Sequence, residues 1–378
     1  MPVSRHLLIN VDVGSWGRKP IPPKIMALHN QRYSIDMREV LALVALLTAP
    51  PIALGFELDN SWACARYLPA LDKGPFLRLR PEWTELDPHQ KTVLSDDFGM
   101  GLTTLLLFEA LDTIYFANTQ YLVKTLNTPA FSLKPSQKSG QRKSPDFVAV
   151  DTTGRAHIIE CKGTQTPSTL YKLLNNGIPQ KQNMRVGPPY TLGQSIVAGV
   201  YIPQHGGGKP LCRIIDPEIK LAEGERNQGN GGNNLAVAVA RANVASALHL
   251  LGLRREGNAV ALNEPEVERS PVKRVEELPV VLGLGELQKE PFVVQSHTVF
   301  YPQDLLTDKG IAFDGIRIRT GLSRNIFEAV AVGDLEGAVR QSVARARMAG
   351  WRRAATETQL QLTTATGMFA EIELLTRS

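Results

Sequence analysis

Residues 144–163 read SPDFVAVDTTGRAHIIECKG, and this stretch decides how the rest of the chain is interpreted. It contains an apolar run at 147–150, a turn-forming sequence at 151–154, and a second apolar run that ends at Glu160. Two short β-forming runs joined by about four turn residues that include Gly predict a β-hairpin. The hairpin would bring Asp146, just before the first strand, close to Glu160 on the second strand.

Lys162 follows Glu160 by two positions, and residues two apart on a strand project to the same face. Two carboxylates held a few ångströms apart repel each other, and one pKa rises unless a cation lies between them. Mg²⁺ takes one or two carboxylates together with waters and a substrate phosphate, and it can acidify a bound water. The Lys162 ammonium would stabilise negative charge in the transition state or orient the attacking water. The pattern therefore predicts metal-assisted phosphodiester hydrolysis.

This combination resembles the motif of the PD-(D/E)xK nuclease superfamily, and the resemblance covers roughly residues 91–216. The matching residues are Pro145-Asp146 and Glu160-Cys161-Lys162. The resemblance implies that Asp146, Glu160 and the backbone carbonyl of Cys161 hold Mg²⁺ or Mn²⁺, and that Lys162 is catalytic. It also implies an α/β, restriction-endonuclease-like core, in which helices flank a mixed central sheet.

Two further site positions follow from the same resemblance. An acid on the helix ahead of the motif often joins the metal site, which points to Glu109 on a helix predicted from Asp96-Asp97 to about Tyr115. A helix after the lysine often places a polar side chain near the scissile phosphate, and Gln180 is the first choice. The other candidates on that helix, which the sequence predicts to begin near Thr166 with a break at 177–179, are Gln182, Tyr171 and Lys172. Each of these side chains could instead be an ordinary solvated residue.

Charge placement supports a nucleic-acid substrate. Between Thr113 and Ile215 the chain has twelve Lys and Arg residues but only three acids, Asp146, Asp151 and Glu160. Clustered basic residues with few acids are typical of contact with a phosphate backbone. The predicted nucleic-acid-binding residues are Lys134, Lys138, Arg142, Lys143, Lys172, Lys181 and Arg185. The alternative is a solvated basic face without a ligand.

Other motifs carry less information. Glu218-Ile219-Lys220 follows an Asp-Pro pair, but Pro217 interrupts the run and no acid-bearing strand precedes it. The three glycines at 206–208 lack the helix start of a phosphate-binding loop and predict a hairpin tip. His157 is interpreted as an outward-facing strand residue rather than a catalytic base.

Length and composition set broad limits. A chain of 378 residues, 43% apolar and 21% charged with a net charge of +5, has room for two or three globular domains. The sequence suggests a region 1–90 of unknown role, a nuclease-like domain 91–220, and an α+β region 221–378 for nucleic-acid or partner binding. Three widely spaced cysteines favour a reducing cytoplasm. Pro50-Pro51 interrupts the uncharged run at 40–56, which is too short to span a bilayer, so no membrane segment is expected.

The expected function is that of a metal-dependent endonuclease acting on DNA rather than RNA, since no RNA-binding aromatic platform is recognisable. A restriction, defence or DNA-processing role rests on analogy with the fold alone. A homodimer or a protein partner is left open. The alternative function is that of a catalytically silent nucleic-acid-binding module or a structural component of a nucleoprotein assembly.

Overall fold

The computed structural model describes residues 4–48, 52, 67–126, 131–134, 143–186, 191–216, 232–264, 275–279, 290–307, 309–348 and 350–376. These residues form two compact units. The site unit consists of the described residues of Ser4–Asp36 and Ala70–Ala236. The flanking unit consists of the described residues of Met37–Pro69 and Val237–Ser378.

The site unit is built on a mixed seven-stranded sheet. The described strands of the whole unit are, in chain order, β1 (Ser4–Val11), β2 (Gln31–Asp36), β3 (Thr113–Asn118), β4 (Phe131–Leu133), β5 (Phe147–Asp151), β6 (Ala156–Thr164), β7 (Met184–Val186), β8 (Leu192–Tyr201) and β9 (Leu211–Ile215). The sheet order is β2-β1-β9-β8-β6-β5-β3, while β4 and β7 form a separate two-stranded sheet. β6 is parallel to β8 and β1 to β9, and the other neighbours are antiparallel. The expected mixed α/β architecture is confirmed at this level.

The helices of both units are α1 (Pro23–Ala27), α2 (Met37–Thr48), α3 (Pro88–Ala110), α4 (Pro167–Gln182), α5 (Gly232–Leu250), α6 (Arg254–Leu262), α7 (Arg324–Ala331) and α8 (Leu335–Met348). No helix among the described residues combines the length and the apolar character needed to cross a bilayer.

The predicted hairpin is confirmed. β5 and β6 pair antiparallel, with Phe147 opposite Ile159. The Asp151 carboxylate closes the turn by accepting a hydrogen bond of 2.8 Å from the Thr153 amide. Gly154 has a φ of 82°, a left-handed conformation that glycine adopts without steric cost. Turn chemistry therefore fixes the register that carries the site residues.

Helix α3 begins earlier than predicted. Asp87, not Asp96 or Asp97, is the N-cap: its carboxylate accepts a hydrogen bond of 2.8 Å from the His89 amide, and Pro88 occupies the first helical position. Proline suits that position because its missing amide would have no helical partner there. Asp96 consequently lies well inside the helix.

Two other local predictions differ from the structure. The sequence offers 119–126 and 129–133 for the strand ahead of the motif, but that strand is β3 at Thr113–Asn118. Tyr121–Thr125 forms a short π-helical turn, and Phe131–Leu133 is β4 of the two-stranded sheet. Helix α4 is not broken at 177–179, and Pro179 is accommodated inside it. Packing of the helix on the sheet outweighs the local cost of these residues.

The compact units do not follow the boundaries at 90 and 220. β1 pairs with β9 of the site sheet, with Leu8 opposite Leu211. Buried and partly exposed residues alternate along β1, as expected for a strand inside a sheet. The early part of the chain therefore belongs partly to the sheet that carries the candidate site.

The flanking unit contains a six-stranded antiparallel sheet. Its strands are β10 (Glu276–Pro279), β11 (Pro291–Leu306), β12 (Ala312–Ser323), β13 (Arg352–Ala355), β14 (Gln359–Thr363) and β15 (Met368–Leu375), in the order β10-β11-β12-β15-β14-β13. The sequence predicts a helix from Asp334 to about Arg353 whose arginines could bind a phosphate backbone or form a solvated or partner-binding face. The helix ends at Met348, and Arg352 and Arg353 lie on β13. Arg345 on this helix forms two hydrogen bonds of 2.7 Å with Glu290. It is thus part of an internal ion pair rather than available to a phosphate backbone.

Candidate active site

The carboxylate of Asp146 is tied to the backbone of β6. Its Oδ2 accepts a hydrogen bond of 2.7 Å from the Cys161 amide, and its own carbonyl accepts one of 3.0 Å from the Thr119 amide. Because Phe147 lies opposite Ile159, the next position outward brings Asp146 to Glu160. The two acids of the motif are therefore neighbours, as the hairpin predicted.

Glu160 is the most buried acid of the site, with a side-chain exposure of 0%. One of its oxygens, Oε1, forms an ion pair with Lys162 Nζ. The other, Oε2, has no hydrogen-bond partner among the described residues. A buried polar group without a partner costs about 1–3 kcal/mol, and more if it is charged, so its presence requires an explanation.

Helix α4 covers Glu160 because Gly177 lets the two elements approach closely. A Cβ at Gly177 would lie 2.7 Å from Val197 Cγ1 and 3.0 Å from Glu160 Cγ. It would also lie 3.6 Å from Lys162 Cε. Any other residue at this position would collide with the wall of the site, and this close contact is what removes Glu160 from water.

Helix α3 reaches the other side of the site through a second pair of glycines. A Cβ at Gly163 would lie 1.6 Å from the Ser95 carbonyl oxygen, and one at Gly99 would lie 2.8 Å from the Lys162 carbonyl oxygen. The backbone of the helix therefore rests directly on the strand, next to Lys162. No side chain fits between them.

This contact brings Asp96 to the site. Its side chain keeps an exposed surface, but partial burial raises the pKa of its carboxyl, while the charge of Lys162 opposes that rise. The charge of Asp96 is also among those that raise the pKa of Asp146. The sequence predicts a helix cap at Asp96, not a position beside the motif acids. The available signal was its position three residues before Gly99, which places both on one helical face.

Glu109 does not occupy the position that the resemblance suggested. It is exposed, and its Oε2 accepts a hydrogen bond of 2.9 Å from Tyr33 Oη. Counting from Gly99, where α3 contacts the strand, Glu109 lies about 15 Å further along the helix axis. Asp96, not Glu109, is the acid that this helix brings to the motif.

The electrostatics of the site reflect two acids in one poorly hydrated volume. Burial, followed by the charge of Asp146, raises the pKa of Glu160 to about 8, although Lys162 opposes both effects. Burial also raises the pKa of Asp146, against the hydrogen bond from Cys161 and the charge of Lys162. Burial alone would lower the pKa of Lys162, but the charge of Glu160 outweighs it and the pKa is raised. The lysine therefore stays protonated while the acids compete for one positive charge.

Cys161 contributes only its backbone. Its side chain is a buried free thiol, and burial raises its pKa well above the usual value. Such a thiol is a poor source of thiolate. The carbonyl remains as the group that the resemblance assigns to a metal ion.

The residues present fit a hard divalent cation. Within the described ranges, no three side chains of His, Cys, Asp or Glu converge as a self-sufficient metal site. Mg²⁺ needs no such cluster, because one or two carboxylates, waters and substrate oxygens complete its shell. Glu160 Oε2, which has no hydrogen-bond partner, and the neighbouring Asp146 carboxylate would supply the protein's ligands. Both are hard oxygen donors, which suit Mg²⁺ and Mn²⁺.

On α4, the structure separates the predicted residues. Gln180 is half-buried and lies one turn beyond Gly177 on the same face, whereas Lys172 is exposed. Lys181 is fully buried: its Nζ donates to the Ser195 carbonyl and lies 3.2 Å from Asp216 Oδ1. The prediction that Lys181 contacts nucleic acid is therefore corrected, because its side chain cannot reach a phosphate.

Three of the predicted basic residues lie on neighbouring backbone segments. Arg185 on β7 pairs with Ser132 on β4, and the Lys134 amide donates a hydrogen bond of 2.8 Å to the Asn183 carbonyl. Asn183 Nδ2 in turn donates one of 3.0 Å to the carbonyl of Lys143. We call Lys134, Lys143 and Arg185 the basic edge; it leads directly into Asp146. Lys138 and Arg142 lie outside the described residues.

His157 is buried, which corrects the expectation of an outward-facing residue. Its Nε2 lies 3.2 Å from Asp151 Oδ2, and its Nδ1 accepts a hydrogen bond of 3.0 Å from the Gln194 amide. Nε2 therefore joins the two strands of the hairpin, and Nδ1 joins the hairpin to β8. A catalytic base needs a free nitrogen, so this histidine has a structural role.

Comparison with known proteins does not add a function. Family models, curated proteins and solved structures give no significant match to this chain. The chemistry of the site is therefore inferred from its own geometry.

Proposed function

We propose that this protein is a metal-dependent nuclease of the PD-(D/E)xK type, which hydrolyses phosphodiester bonds in DNA. The observation that carries the proposal is Glu160: a fully buried carboxylate beside Asp146, with one oxygen paired to Lys162 and the other unpartnered. An ordinary surface hairpin would keep such a Glu–Lys pair in water, where its charges cost nothing to maintain. Burial beside a second acid disfavours the ionised form of Glu160, and a cation bound between the two acids would compensate that charge.

The order of the elements supports a restriction-endonuclease-like core. Helix α3 is followed by the antiparallel strands β3, β5 and β6, and α4 then crosses to β8, which is parallel to β6. This arrangement places both helices against the strand that carries Glu160 and Lys162. The mixed sheet and its flanking helices match the architecture that the motif implied.

Each residue has a definite role in this proposal. Asp146 and Glu160, with Asp96 at the edge, would hold Mg²⁺ or Mn²⁺. The ion, when bound, lowers the pKa of a water molecule and polarises a phosphoryl oxygen. Lys162, fixed by Glu160 and protonated, places a positive charge where the reaction generates negative charge. Helix α4 excludes water at Gly177, which strengthens these charge interactions.

The basic edge supports nucleic acid as the substrate. Lys134 and Arg185 belong to segments joined by backbone pairing, and the Asn183 side chain joins them to Lys143, three positions before Asp146. Exposed Lys172 adds a further charge on α4. Such side chains bind phosphates without reading sequence, and their contribution falls with salt concentration. Restriction, defence or DNA processing are the cellular roles that this activity would serve.

Cleavage of plasmid DNA and of single-stranded circular DNA in Mg²⁺ tests the proposal. Glu160→Gln, Asp146→Asn and Lys162→Met should each reduce the cleavage rate by about 100-fold or more, the loss typical of removing one transition-state contact. Glu109→Gln is the matched control, because it removes an exposed acid on α3 away from the site. Wild-type rates in all three site variants would refute the nuclease assignment.

The second candidate is a catalytically silent nucleic-acid-binding module, which the basic edge by itself favours. A binding role does not need a buried carboxylate next to Asp146, since acids near a phosphate weaken binding. The two candidates separate in one experiment. Retained DNA binding without cleavage by the wild-type protein at any Mg²⁺ or Mn²⁺ concentration would establish the silent module.

A further inference from the structure

Tyr171 presents an aromatic ring at the surface of α4, with 53% of the residue exposed. One face of the ring is covered: the guanidinium carbon of Arg213 lies 4.5 Å from the ring centroid. Arg213 Nη1 also donates a hydrogen bond of 2.5 Å to Tyr171 Oη. The ring is therefore held in one orientation rather than rotating freely in water.

The arginine behind the ring is itself anchored. Arg213 lies on β9, and its Nη2 donates a hydrogen bond of 2.7 Å to Asp12 Oδ2 just after β1. Its side chain is only 19% exposed. The Asp12 carboxylate balances the guanidinium charge, so this group is not built to grip a phosphate. What it offers to a ligand is the face of an ordered aromatic ring.

The ring lies on the helix that covers the candidate active site. Tyr171 and Gly177, which contacts Glu160, are separated by about 9 Å along the axis of this helix. Exposed Lys172 is adjacent to the ring in sequence and adds a positive charge to this part of the helix.

We propose that Tyr171 is a stacking platform for an unpaired base of the strand that enters the site. This inference rests on the proposed nuclease function and specifies its substrate class: single-stranded nucleic acid, or a duplex with a single-stranded end or flap. In an intact duplex both faces of each base are stacked on neighbours and cannot reach a helix surface. Tyr171 binds a base at low entropic cost because Arg213 and Asp12 already fix its ring.

Binding in EDTA tests the proposal without requiring cleavage. The probes are a labelled single-stranded oligonucleotide and the duplex of the same sequence, followed by fluorescence anisotropy. Tyr171→Ala should weaken single-strand binding about tenfold and leave duplex binding within about twofold. Tyr171→Phe keeps the ring and should bind like wild type. Phe300→Ala, which removes a 68% exposed aromatic from the flanking unit, is the matched control and should change neither affinity.

A stacking role also predicts a spectroscopic signal that needs no loss of binding. Tyr171→Trp should gain fluorescence that the single strand quenches and the duplex does not. The proposal is overturned if Tyr171→Ala weakens the binding of both oligonucleotides equally, or of neither. It is also overturned if the single strand does not quench the fluorescence of Tyr171→Trp. The two proposals fail separately. If Tyr171→Ala weakens single-strand binding as expected but the wild-type protein never cleaves DNA, the nuclease function is refuted and the stacking platform is retained.

Discussion

Lys162 forms an ion pair with Glu160, the fully buried acid two residues before it on the same strand. The pair lies beneath Gly177 of α4 and beside Asp146 of the preceding strand. Burial makes the interaction strong, but it leaves the site with more acidic groups than compensating charge. This imbalance has consequences for stability, for metal binding and for the tolerance of nearby substitutions.

The metal-free protein should lose stability as the pH rises from about 5 to about 8. The pKa of Glu160 is about 8 in the fold, against 4.5 for the free side chain. Between these values the folded carboxyl keeps a proton that the unfolded one has released, so its stabilising contribution is complete below the lower value and is lost as the pH passes the higher one. Thermal unfolding in EDTA measures this loss.

Glu160→Gln is the control for that prediction. The neutral amide cannot ionise, so the unfolding temperature of this variant should depend less on pH over the same interval. Mg²⁺ should raise the unfolding temperature of the wild type more at pH 8 than at pH 6, because the ion binds the deprotonated carboxylate. Parallel pH profiles for the two proteins would contradict the assignment.

Gly177→Ala should destabilise the protein by about 1–3 kcal/mol, the usual cost of overpacking a filled interior. The added Cβ would meet Val197 and Glu160 at 2.7 and 3.0 Å. Helix propensity alone predicts the opposite sign, a gain of about 0.5–1 kcal/mol from replacing a helical glycine by alanine. Chemical denaturation distinguishes the two, with Asn176→Ala as the exposed control on the same helix.

Asp96→Asn should weaken Mg²⁺ binding about tenfold or more, the effect typical of groups that support metal ligands. Its charge acts on Asp146 and Lys162, whereas Glu109 lies further along the same helix. Glu109→Gln should leave the affinity unchanged. Isothermal titration of the purified proteins with Mg²⁺ provides the comparison, and equal effects of the two substitutions would remove Asp96 from the site.

Lys181→Met and Arg185→Ala should fail in different ways. Lys181 is buried between Ser195 and Asp216, whose carboxylate also pairs with Lys19 at 2.8 Å. Its loss leaves the Ser195 carbonyl without that donor and Asp216 with one cation fewer, and should cost about 1–3 kcal/mol of stability. Arg185 is exposed, so its loss should leave stability unchanged. If it makes one phosphate contact, the slope of log K for DNA binding against log salt concentration should become shallower by about 0.9. Unfolding curves and binding at several salt concentrations report the two effects.

The local part of the site could be predicted from the sequence. Apolar runs and turn residues specify the hairpin, and strand alternation puts Glu160 and Lys162 on one face. These inferences need only residues close in the chain. The position of Asp96 depends instead on the contact between Gly99 and Gly163, which are far apart in sequence. Nothing in a local pattern indicates that the two backbones touch.

Burial of charged side chains was equally hard to predict. Lys181, Arg345 and His157 look like surface residues, but each has a partner distant in sequence or in a neighbouring strand. A charged residue on a helix is usually solvated. Only the folded sheet shows the partner whose hydrogen bonds and charge offset the desolvation cost of burying it. The same holds for β1, whose alternation identifies a strand but not the neighbour it joins.

The pairing of β1 with β9 limits how the protein can be dissected. A fragment that begins at residue 91 would lack β1 and β2 and leave one side of β9 without its hydrogen-bonding neighbour. Open strand edges of this kind recruit other chains and aggregate. Expression of the site unit in isolation therefore requires Ser4–Asp36 to be supplied, either in the same polypeptide or as a complementing peptide.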